Sequence, residues 1–322
     1  MTPSNGQVIV TGVAGFIGSH LAERLVADGH DVLGVDCFTD YYARAIKESN
    51  LSSLRASPRF RLMEADILGL DWAAIGSGAE YVFHQAAQAG VRGSWGRTFG
   101  AYVRNNILAT QRLLEAAREI PSLKGFIFAS SSSIYGDAET FPTPENIAPR
   151  PVSPYGVTKL ACEHLCRMYG QSFGLPITIL RYFTAYGPRQ RPDMAFHRFI
   201  TAMLRDDEVV VYGDGEQTRD FTYVSDIVQA NILAMGDAGT GETFNIGGGS
   251  RITVNKVIDH LERILSRRAC RRYLAQQKGD AIHTSADVTR ARDLLGYEPH
   301  VGIEEGLWRQ VEWLSEPIGR YS

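Results

Sequence analysis

The first strand, turn and helix of this chain constrain its fold more than any other feature. Gln7–Thr11 is a short apolar run, and the letters TGVAGFIG follow from position 11, with apolar residues at helical spacing as far as residue 26. A strand that ends in such a turn and opens a helix brings backbone N–H groups and the positive end of the helix dipole to one point. This context predicts a dinucleotide site rather than a purely structural turn. Its expected residues are Gly12, Gly15, Phe16, Ile17 and Gly18.

The second predicted strand indicates which dinucleotide is bound. Asp31–Asp36 ends on a carboxylate 18 residues after Gly18. A carboxylate at this position accepts hydrogen bonds from the adenosine ribose and repels a 2′-phosphate, which favours NAD over NADP. Asp66, followed by Ile67, comes after a third strand and is a candidate for the adenine end, with a solvated loop carboxylate as an equal alternative. We therefore expect NAD as the cofactor.

Strand and helix patterns alternate over about 180 residues. This alternation predicts a Rossmann-type, doubly wound parallel sheet with helices on both faces, joined to a smaller α/β substrate-binding lobe. We assign residues 1–182 and about 222–250 to the NAD-binding domain, and 183–221 and 251–322 to the lobe. The remaining predicted strands are Phe60–Glu64, Tyr81–Gln85, Gly125–Ser130, Pro176–Tyr182 and Glu242–Ile246. The predicted helices are Phe16–Asp28, Ala101–Glu119, Pro154–Phe173, Ser225–Met235, Val254–Ser266 and Ile303–Leu314.

Composition excludes several classes of protein and partner. Hydrophobic residues make up 44% of the 322 residues and charged residues 21%, as in globular proteins. A net charge of −3, from 33 basic and 36 acidic residues, gives no reason to expect nucleic acid or a membrane as partner. The polar start MTPSNGQ lacks the pattern of a signal peptide, and four cysteines form no CxxC pair. We expect a cytoplasmic protein without a metal site.

A tyrosine and a lysine are candidates for acid–base chemistry. Tyr155 and Lys159 stand four residues apart in YGVTK, so they share one face of the predicted helix. An ammonium near a phenol favours the phenolate, which can take a proton from a sugar hydroxyl. The pair is a weak signal alone, since this spacing occurs on many surface helices. The serine run ASSSSIYG, from position 129, comes at a strand end and offers hydroxyls nearby, although a polar turn explains it as well.

These motifs together resemble the extended short-chain dehydrogenase/reductase family of nucleotide-sugar enzymes. The resemblance covers nearly the whole chain. It continues through RYFTAYGPR from position 181, YGDGEQTRDFTYVSDIV from 212, FNIGGG from 244 and KGD from 278. It implies that Tyr155 is the general base, Lys159 its electrostatic partner, and Ser131 the hydroxyl that binds the 4-oxygen of the sugar. Further cofactor contacts are implied at Asn106, Ala129 and Tyr182.

The resemblance also implies a nucleotide-sugar site. Tyr212, Arg219 and Asp280 match residues that hold uracil, diphosphate and ribose. Gln277 departs from the galactose epimerases, which carry an arginine there. The dehydratases and decarboxylases of the family carry acidic residues where this chain has Ser132 and Ser133. Oxidation at C4 is therefore expected to end in return of the same hydride to the other face, which is 4-epimerisation.

Two stretches indicate which sugar is bound. HQAAQAGVRGS from position 84 and GPRQRPDMAFHRF from 187 resemble the UDP-glucuronate 4-epimerases. Thr184 stands where the galactose epimerases carry an asparagine. Arg191, with Arg189 and Arg92 as alternatives, is expected to pair with the C6 carboxylate of glucuronate. We count Ser132 and Thr184 among the substrate contacts.

Several alternatives stay open from the sequence. The first is a 4-epimerase of neutral UDP-hexoses or their N-acetyl forms, against which Arg191 and Thr184 count. A UDP-glucuronate decarboxylase is disfavoured by Ser133. A catalytically silent NAD-binding protein is disfavoured by the intact Ser131, Tyr155 and Lys159. The helices around 101–119 and 154–173 resemble those that pair subunits in this family, so we also expect a homodimer.

Overall fold

The computed structural model describes residues 6–315 of the chain. Residues 1–5 and 316–322, at the ends of the two predicted lobes, lie outside the described residues. The strands are β1 Gln7–Thr11, β2 Asp31–Asp36, β3 Phe60–Glu64, β4 Ala79–His84, β5 Gly125–Ser131, β6 Ile177–Tyr182, β7 Thr184–Tyr186, β8 Val209–Tyr212, β9 Thr218–Tyr223, β10 Thr243–Ile246, β11 Arg251–Thr253 and β12 Arg271–Leu274. The α-helices are α1 Phe16–Ala27, α2 Arg44–Asn50, α3 Trp72–Ile75, α4 Phe99–Tyr102, α5 Ala109–Arg118, α6 Pro154–Phe173, α7 Ala195–Leu204, α8 Val224–Leu233, α9 Val254–Leu265, α10 Thr289–Leu295 and α11 Ile303–Ser315.

Within the described residues, the central sheet has seven parallel strands in the order β10-β6-β5-β4-β1-β2-β3. The chain builds outward from β1 through β2 and β3, then returns to the other side of β1 with β4. A crevice forms at the carboxyl ends of the strands where the order reverses. The predicted Rossmann-type sheet is confirmed, and the reversal lies directly above the glycine turn after β1.

Both faces of the sheet are covered, which explains why its strands read as apolar runs. In β1, Val8 and Val10 pack into the core on one face, and Ile9 packs into the core on the other. All three side chains are fully buried. Successive residues of a strand point to opposite faces, so a strand buried on both sides shows no polar alternation.

The smaller lobe has its own core and two short sheets. Strands β11, β9 and β7 form one sheet, and β12 pairs with β8 in the other. An aromatic cluster of Tyr186, Phe196, Phe221 and Tyr223 fills the space under α7, α9 and α11. Within residues 251–322, which are predicted to belong to this lobe, the buried Ala291 and Leu295 of α10 pack into the core of the large sheet beside β10.

The predicted helix at 101–119 is interrupted. Helix α4 passes through a wider π-helical segment, Val103–Leu108, before it continues as α5. In that segment the Asn106 amide accepts a hydrogen bond from Gln88 N–H at 2.7 Å and donates to Thr158 Oγ1 at 3.0 Å. These long-range bonds stabilise a local widening that apolar periodicity does not encode, and such π segments are frequent at functional sites.

No helix among residues 6–315 has the length and apolar character that crossing a bilayer requires.

His84, at the end of β4, is a buried imidazole. Its Nδ1 lies 2.8 Å from Thr11 Oγ1, and its Nε2 lies 3.0 Å from Thr110 Oγ1. Burial, with the charge of Lys159 as a smaller cause, lowers the pKa of His84 to about 3. The unfolded chain binds a proton on this residue below about pH 6.5, whereas the folded protein stays neutral there. The free energy of unfolding therefore falls as the pH drops from 6.5 towards 3.

We expect His84→Gln to flatten this dependence, because glutamine keeps hydrogen-bonding groups near both threonines but does not titrate. One group contributes at most about 1.4 kcal/mol per pH unit to the slope. The measurement is urea unfolding of both proteins at pH 6.5 and pH 4.5. Equal slopes for the two proteins would show that His84 is not the residue responsible.

Candidate active site

The glycine turn after β1 is shaped for close approach of a ligand. Gly12 has φ +70°, and a Cβ on it would lie 2.8 Å from Ala86 Cα. A Cβ on Gly18 would lie 2.2 Å from Gly12 O, so α1 can begin beside the turn only with glycine there. The turn leaves the first N–H groups of α1 facing the crevice, where an anion is stabilised.

One cavity at this crevice brings together most of the predicted cofactor residues. It is deep, lies between the sheet and the loop that contains Tyr41 and Tyr42, and also contains Arg191. The predicted cofactor residues that line it are Gly12, Gly15, Phe16, Ile17, Gly18, Asp36, Asp66, Ile67, Ala129, Tyr155, Lys159 and Tyr182. Asn106 does not line the cavity. It is buried behind the wall, and its neighbour Asn105 takes the lining position.

Asp36 is positioned for a ribose. Its Oδ2 accepts a hydrogen bond from Ala14 N–H at 3.0 Å and its Oδ1 accepts one from Phe38 N–H at 2.8 Å, which fixes the carboxylate and leaves each oxygen a further lone pair. Burial raises the pKa of Asp36, and the two N–H groups and the charge of Lys47 oppose this rise. The turn, the helix terminus and this carboxylate together fit the diphosphate and ribose of NAD.

Sequence reasoning missed Lys47. This lysine of α2 is buried, lines the same cavity, and donates to Thr39 O at 2.5 Å. Its position near Asp36 comes from the loop after β2 that folds back over the cavity. Nothing in the local sequence distinguishes it from a solvated helix lysine, so only the three-dimensional arrangement reveals its place.

Asp66 has partners of its own. Burial would raise the pKa of this carboxyl, but hydrogen bonds from Leu68 N–H at 2.9 Å and from Arg104 at 2.6 Å outweigh burial and lower it. The carboxylate therefore stays ionised, and it lines the cavity together with Ile67. The Tyr182 ring also lines the cavity, and its hydroxyl bonds with Gln85 and Asn231.

Helix α6 presents the predicted base and its lysine partner to the cavity. Ser153 caps the helix by accepting a hydrogen bond from Gly156 N–H at 3.1 Å, and Pro154 occupies the first turn. Tyr155 follows in that turn, with its ring edge against Tyr102. Lys159 is 4% exposed, and its Nζ donates to Ala129 O at 2.7 Å. The helix start and the end of β5 thus hold both groups.

The serine run lies at the carboxyl end of β5. Ser131 is paired with Tyr182 in the sheet, and its Oγ accepts a hydrogen bond from Ser133 N–H at 3.1 Å. Ser132 opens the short turn that follows. Thr184 begins β7, two residues after Tyr182. Ser130 lines the cavity of Tyr155 and Lys159, whereas the predicted Ser131, Ser132 and Thr184 lie at the same edge of the sheet and are not among its lining residues.

A second cavity, in the smaller lobe, contains three predicted nucleotide-sugar residues. Tyr212, Arg219 and Asp280 line it together with Gln277. Burial lowers the pKa of the Arg219 guanidinium, and its Nη1 donates to Ile282 O at 2.9 Å. These side chains come from β8, β9 and a loop near residue 280, so a nucleotide bound there would contact three separate segments.

Arg92 lies at this second cavity rather than in the first. Its Nη2 donates to Asp280 Oδ2 at 2.7 Å, and its guanidinium lies 4.3 Å from the centre of the Tyr212 ring. Arg189 is paired with Glu23 of α1 at 2.7 Å. Of the three arginines expected at the C6 carboxylate, the structure places Arg191 in the cavity of Tyr155 and Lys159.

Among the described residues, no group of three or more His, Cys, Asp or Glu side chains is arranged to hold a metal ion. The four cysteines form no disulfide.

Comparisons with known proteins show the family to which this chain belongs. The sequence profile of the NAD dependent epimerase/dehydratase family matches residues 8–247. A UDP-glucuronate 4-epimerase of Thermodesulfobacterium geofontis (strain OPF15) is 40% identical over 320 residues, which cover 97% of this chain and 97% of that protein. An uncharacterized UDP-glucose epimerase of Bacillus subtilis (strain 168) is 46% identical over 311 residues, covering 96% of this chain and 98% of that one.

A solved structure shows the same fold. The crystal structure of UDP-glucuronic acid 4-epimerase from Bacillus cereus, in complex with UDP-glucuronic acid and NAD, superposes with a TM-score of 0.93 at 43% identity. The match covers 96% of this chain and 99% of that one. The resemblance found in the motifs is therefore confirmed, and the chain belongs to the NAD-dependent epimerase/dehydratase family.

Proposed function

We propose that this protein is an NAD-dependent UDP-glucuronate 4-epimerase, which interconverts UDP-glucuronate and UDP-galacturonate through a transient 4-keto sugar. One observation carries the proposal: Arg191 lines the cavity that contains Tyr155 and Lys159. A guanidinium donates two parallel hydrogen bonds to a carboxylate, so an acidic sugar suits this position. The relatives from T. geofontis and B. cereus, described as UDP-glucuronate 4-epimerases, support the same substrate.

Each of these residues has a separate role in epimerisation. NAD, when bound, accepts a hydride from C4 of the sugar and donates it back. The Tyr155 phenolate takes the proton of the 4-hydroxyl and returns it once the ketone presents its other face. The buried ammonium of Lys159, one helical turn along α6, favours that phenolate. Ser131, at the end of β5, donates a hydrogen bond that holds the 4-oxygen.

The groups near the serine run favour epimerisation over loss of water or carbon dioxide. Positions 132 and 133 are serines, which do not act as general acids near neutral pH. Glu163 accepts a hydrogen bond from Ser130 at 2.6 Å, but this carboxylate is fully buried and is shared with Arg181 and Arg167. Its oxygens are occupied by these donors, so it is not a free acid for elimination.

The second cavity is the proposed place of the UDP group. Tyr212 offers a ring on which uracil can stack, and the Asp280 carboxylate suits ribose hydroxyls. Arg219 supplies positive charge for the diphosphate, whereas the charge of the neighbouring Arg92 is balanced by its ion pair with Asp280. In this arrangement the nucleotide extends from the smaller lobe and the sugar enters the cavity of Tyr155.

The test is incubation of purified protein with UDP-glucuronate and, separately, with UDP-glucose, followed by chromatography and NMR of the products. Formation of UDP-galacturonate from UDP-glucuronate, with no added NAD, is the expected result. Stoichiometric accumulation of free NADH would identify a dehydrogenase instead. Turnover of UDP-glucose with little turnover of UDP-glucuronate would overturn the substrate assignment.

Cofactor retention gives a second prediction. Because the hydride returns to the sugar it left, NAD need not dissociate between turnovers. We expect purified wild-type protein to retain NAD(H) and the Asp36→Ala variant to retain much less. The variant lacks the fixed, charged acceptor for the ribose, and such a contact contributes about 1.5–3 kcal/mol, or roughly ten- to hundredfold in affinity. Cofactor released by heat is measured by absorbance and mass spectrometry. Asp31→Ala, at the other end of β2, is the matched control. Equal retention in all three proteins would argue against a role for Asp36.

A neutral UDP-hexose is the second candidate substrate. The observation that favours it is the ion pair of Arg191 with Asp193, at 2.9 Å, because a balanced charge attracts a carboxylate less strongly. The B. subtilis relative described as a UDP-glucose epimerase agrees with this alternative. A silent NAD-binding protein is a third possibility from another class, and Tyr155 and Lys159 in one cavity count against it.

We further propose that the protein is a cytoplasmic homodimer that pairs through α5 and α6. Apolar side chains lie about half exposed at Val157 and Met168 of α6 and at Leu108, the last residue of the π-helical segment that precedes α5. Val157 and Met168 are three turns apart on one face of α6. A stripe of this kind is suited to burial against a second copy.

Four unpaired thiols agree with a reducing compartment.

Sedimentation equilibrium tests the dimer. We expect wild-type protein to sediment at twice the mass of one chain, and Val157→Asp/Met168→Asp to shift it towards the mass of one chain, since two charges would be buried at the interface. Leu294→Asp, which changes an exposed leucine on α10, is the control for surface charge. A wild-type mass of one chain would refute the proposal.

A further inference from the structure

Arg191 reaches the cavity already bound to a carboxylate of its own chain. Its Nε donates to Asp193 Oδ1 at 2.9 Å and its Nη2 donates to Asp193 Oδ2 at 3.0 Å. The arginine side chain is 19% exposed and the aspartate side chain 41% exposed. Both oxygens of Asp193 thus face one edge of the guanidinium, in the bidentate geometry that gives the strongest pairs.

A second side chain also binds Asp193. Tyr41, from the loop after β2, donates its hydroxyl to Asp193 Oδ2 at 3.3 Å, and its ring lies 5.7 Å from the Arg191 guanidinium. Tyr41 and Arg191 both line the cavity of Tyr155. Asp193 immediately precedes the residue that caps α7, which anchors its backbone. The carboxylate therefore has two partners and a fixed backbone.

This pair changes what the cavity offers to C6 of a sugar. Arg191 alone would present a full positive charge, whereas Arg191 with Asp193 behind it presents a neutral pair to the cavity, which Asp193 itself does not line. A C6 hydroxyl is uncharged and can accept a hydrogen bond from Arg191 whether or not the charge of that arginine is balanced. A C6 carboxylate can only accept, and it also meets the negative charge of Asp193. The pair thus reduces the advantage of an acidic sugar over a neutral one.

We propose that Asp193 is a specificity-determining residue, which balances the charge of Arg191 and so sets how strongly the enzyme prefers a C6 carboxylate to a C6 hydroxyl. This inference rests on the proposed function, because it concerns the sugar bound beside Tyr155. In this proposal Asp193 does not contact the reacting atoms. It predicts that removal of the negative charge makes the enzyme more selective for UDP-glucuronate.

The test compares binding of two ligands to wild type, to two variants at Asp193 and to a control variant. Wild type, Asp193→Asn and Asp193→Glu are each prepared in a Tyr155→Phe background with NAD bound, so that ligands bind without turnover. Calorimetry then gives Kd for UDP-glucuronate and for UDP-glucose. The asparagine variant keeps the size of the side chain and loses its charge, whereas the glutamate variant keeps the charge. Glu305→Gln, which removes a carboxylate paired with Arg309 on α11, is the control for a change of charge elsewhere.

We expect Asp193→Asn to lower Kd for UDP-glucuronate by about five- to tenfold and to change Kd for UDP-glucose less than about twofold, since only the charged ligand is repelled. The glutamate variant and Glu305→Gln should keep the wild-type ratio of the two Kd values. In the active enzyme the same change should appear in KM, with kcat nearly constant.

Two results would overturn the inference. A higher Kd for UDP-glucuronate in Asp193→Asn would show that Asp193 orients Arg191 rather than balances it. Equal changes for both ligands would show an effect through the cofactor or the fold. Failure of the proposed function is recognised separately, because a wild-type enzyme that binds UDP-glucuronate but turns over only UDP-glucose would overturn that function and leave the comparison of Kd values valid.

Discussion

Tyr155→Phe is expected to lower kcat by about 10²–10⁴-fold, the usual contribution of a general base. The substitution keeps the aromatic ring and its edge contact with Tyr102 but removes the hydroxyl that exchanges a proton with the sugar. Folding, retained NAD and Kd for the nucleotide sugar should change little. The measurement is steady-state turnover of UDP-glucuronate, with cofactor content determined on the same samples.

Helix α6 provides a matched control for this variant. Tyr169 lies on the same helix, and its hydroxyl donates to Glu115 and accepts from Gln111 on α5, away from both cavities. Tyr169→Phe makes the same chemical change and should leave kcat within about twofold of wild type, since this buried tyrosine lines neither cavity. Near-normal turnover by Tyr155→Phe would refute its assignment as the base.

Arg191→Ala is expected to raise KM for UDP-glucuronate about ten- to hundredfold, because a charge-assisted contact contributes about 1.5–3 kcal/mol. KM for UDP-glucose should change less, since a C6 hydroxyl loses only a neutral contact. The ratio of the two KM values is the quantity to compare. Arg92→Ala is the matched control. Because Arg92 lies beside Tyr212 and Asp280, its removal is expected to raise KM equally for both nucleotide sugars.

The same variant is expected to release a decarboxylated pentose product. Oxidation at C4 of glucuronate creates a β-keto acid, which loses carbon dioxide readily when the C5–C6 bond lies parallel to the carbonyl π system. An epimerase must hold the carboxylate in the carbonyl plane until the hydride returns, and Arg191 with the hydroxyls of the serine run is suited to do so. Mass spectrometry of the products checks this expectation. Unchanged KM and no pentose would remove Arg191 from the sugar site.

The features predicted correctly from the sequence are those that neighbouring residues encode. β1, β2 and β3 have the predicted bounds, and the bounds of α6 are also as predicted. The glycine turn was recognisable because the strand, the three glycines and the helix are contiguous. Tyr155 and Lys159 lie four residues apart on one helix, so helical geometry alone places them on one face.

Short-range periodicity and turn chemistry specify the Rossmann-type sheet, the dinucleotide turn and the tyrosine–lysine helix, so each of them can be predicted from the sequence. The place of Arg92, the approach of Lys47 to Asp36 and the burial of Asn106 behind the cavity wall depend on three-dimensional packing. The same packing also decides that Arg191 enters the cavity already paired with Asp193. Most of these contacts join residues far apart in the chain, and the last depends on a side-chain direction that the loop after β7 sets. Local sequence patterns cannot predict these contacts, because they form only when the two lobes and their loops pack together.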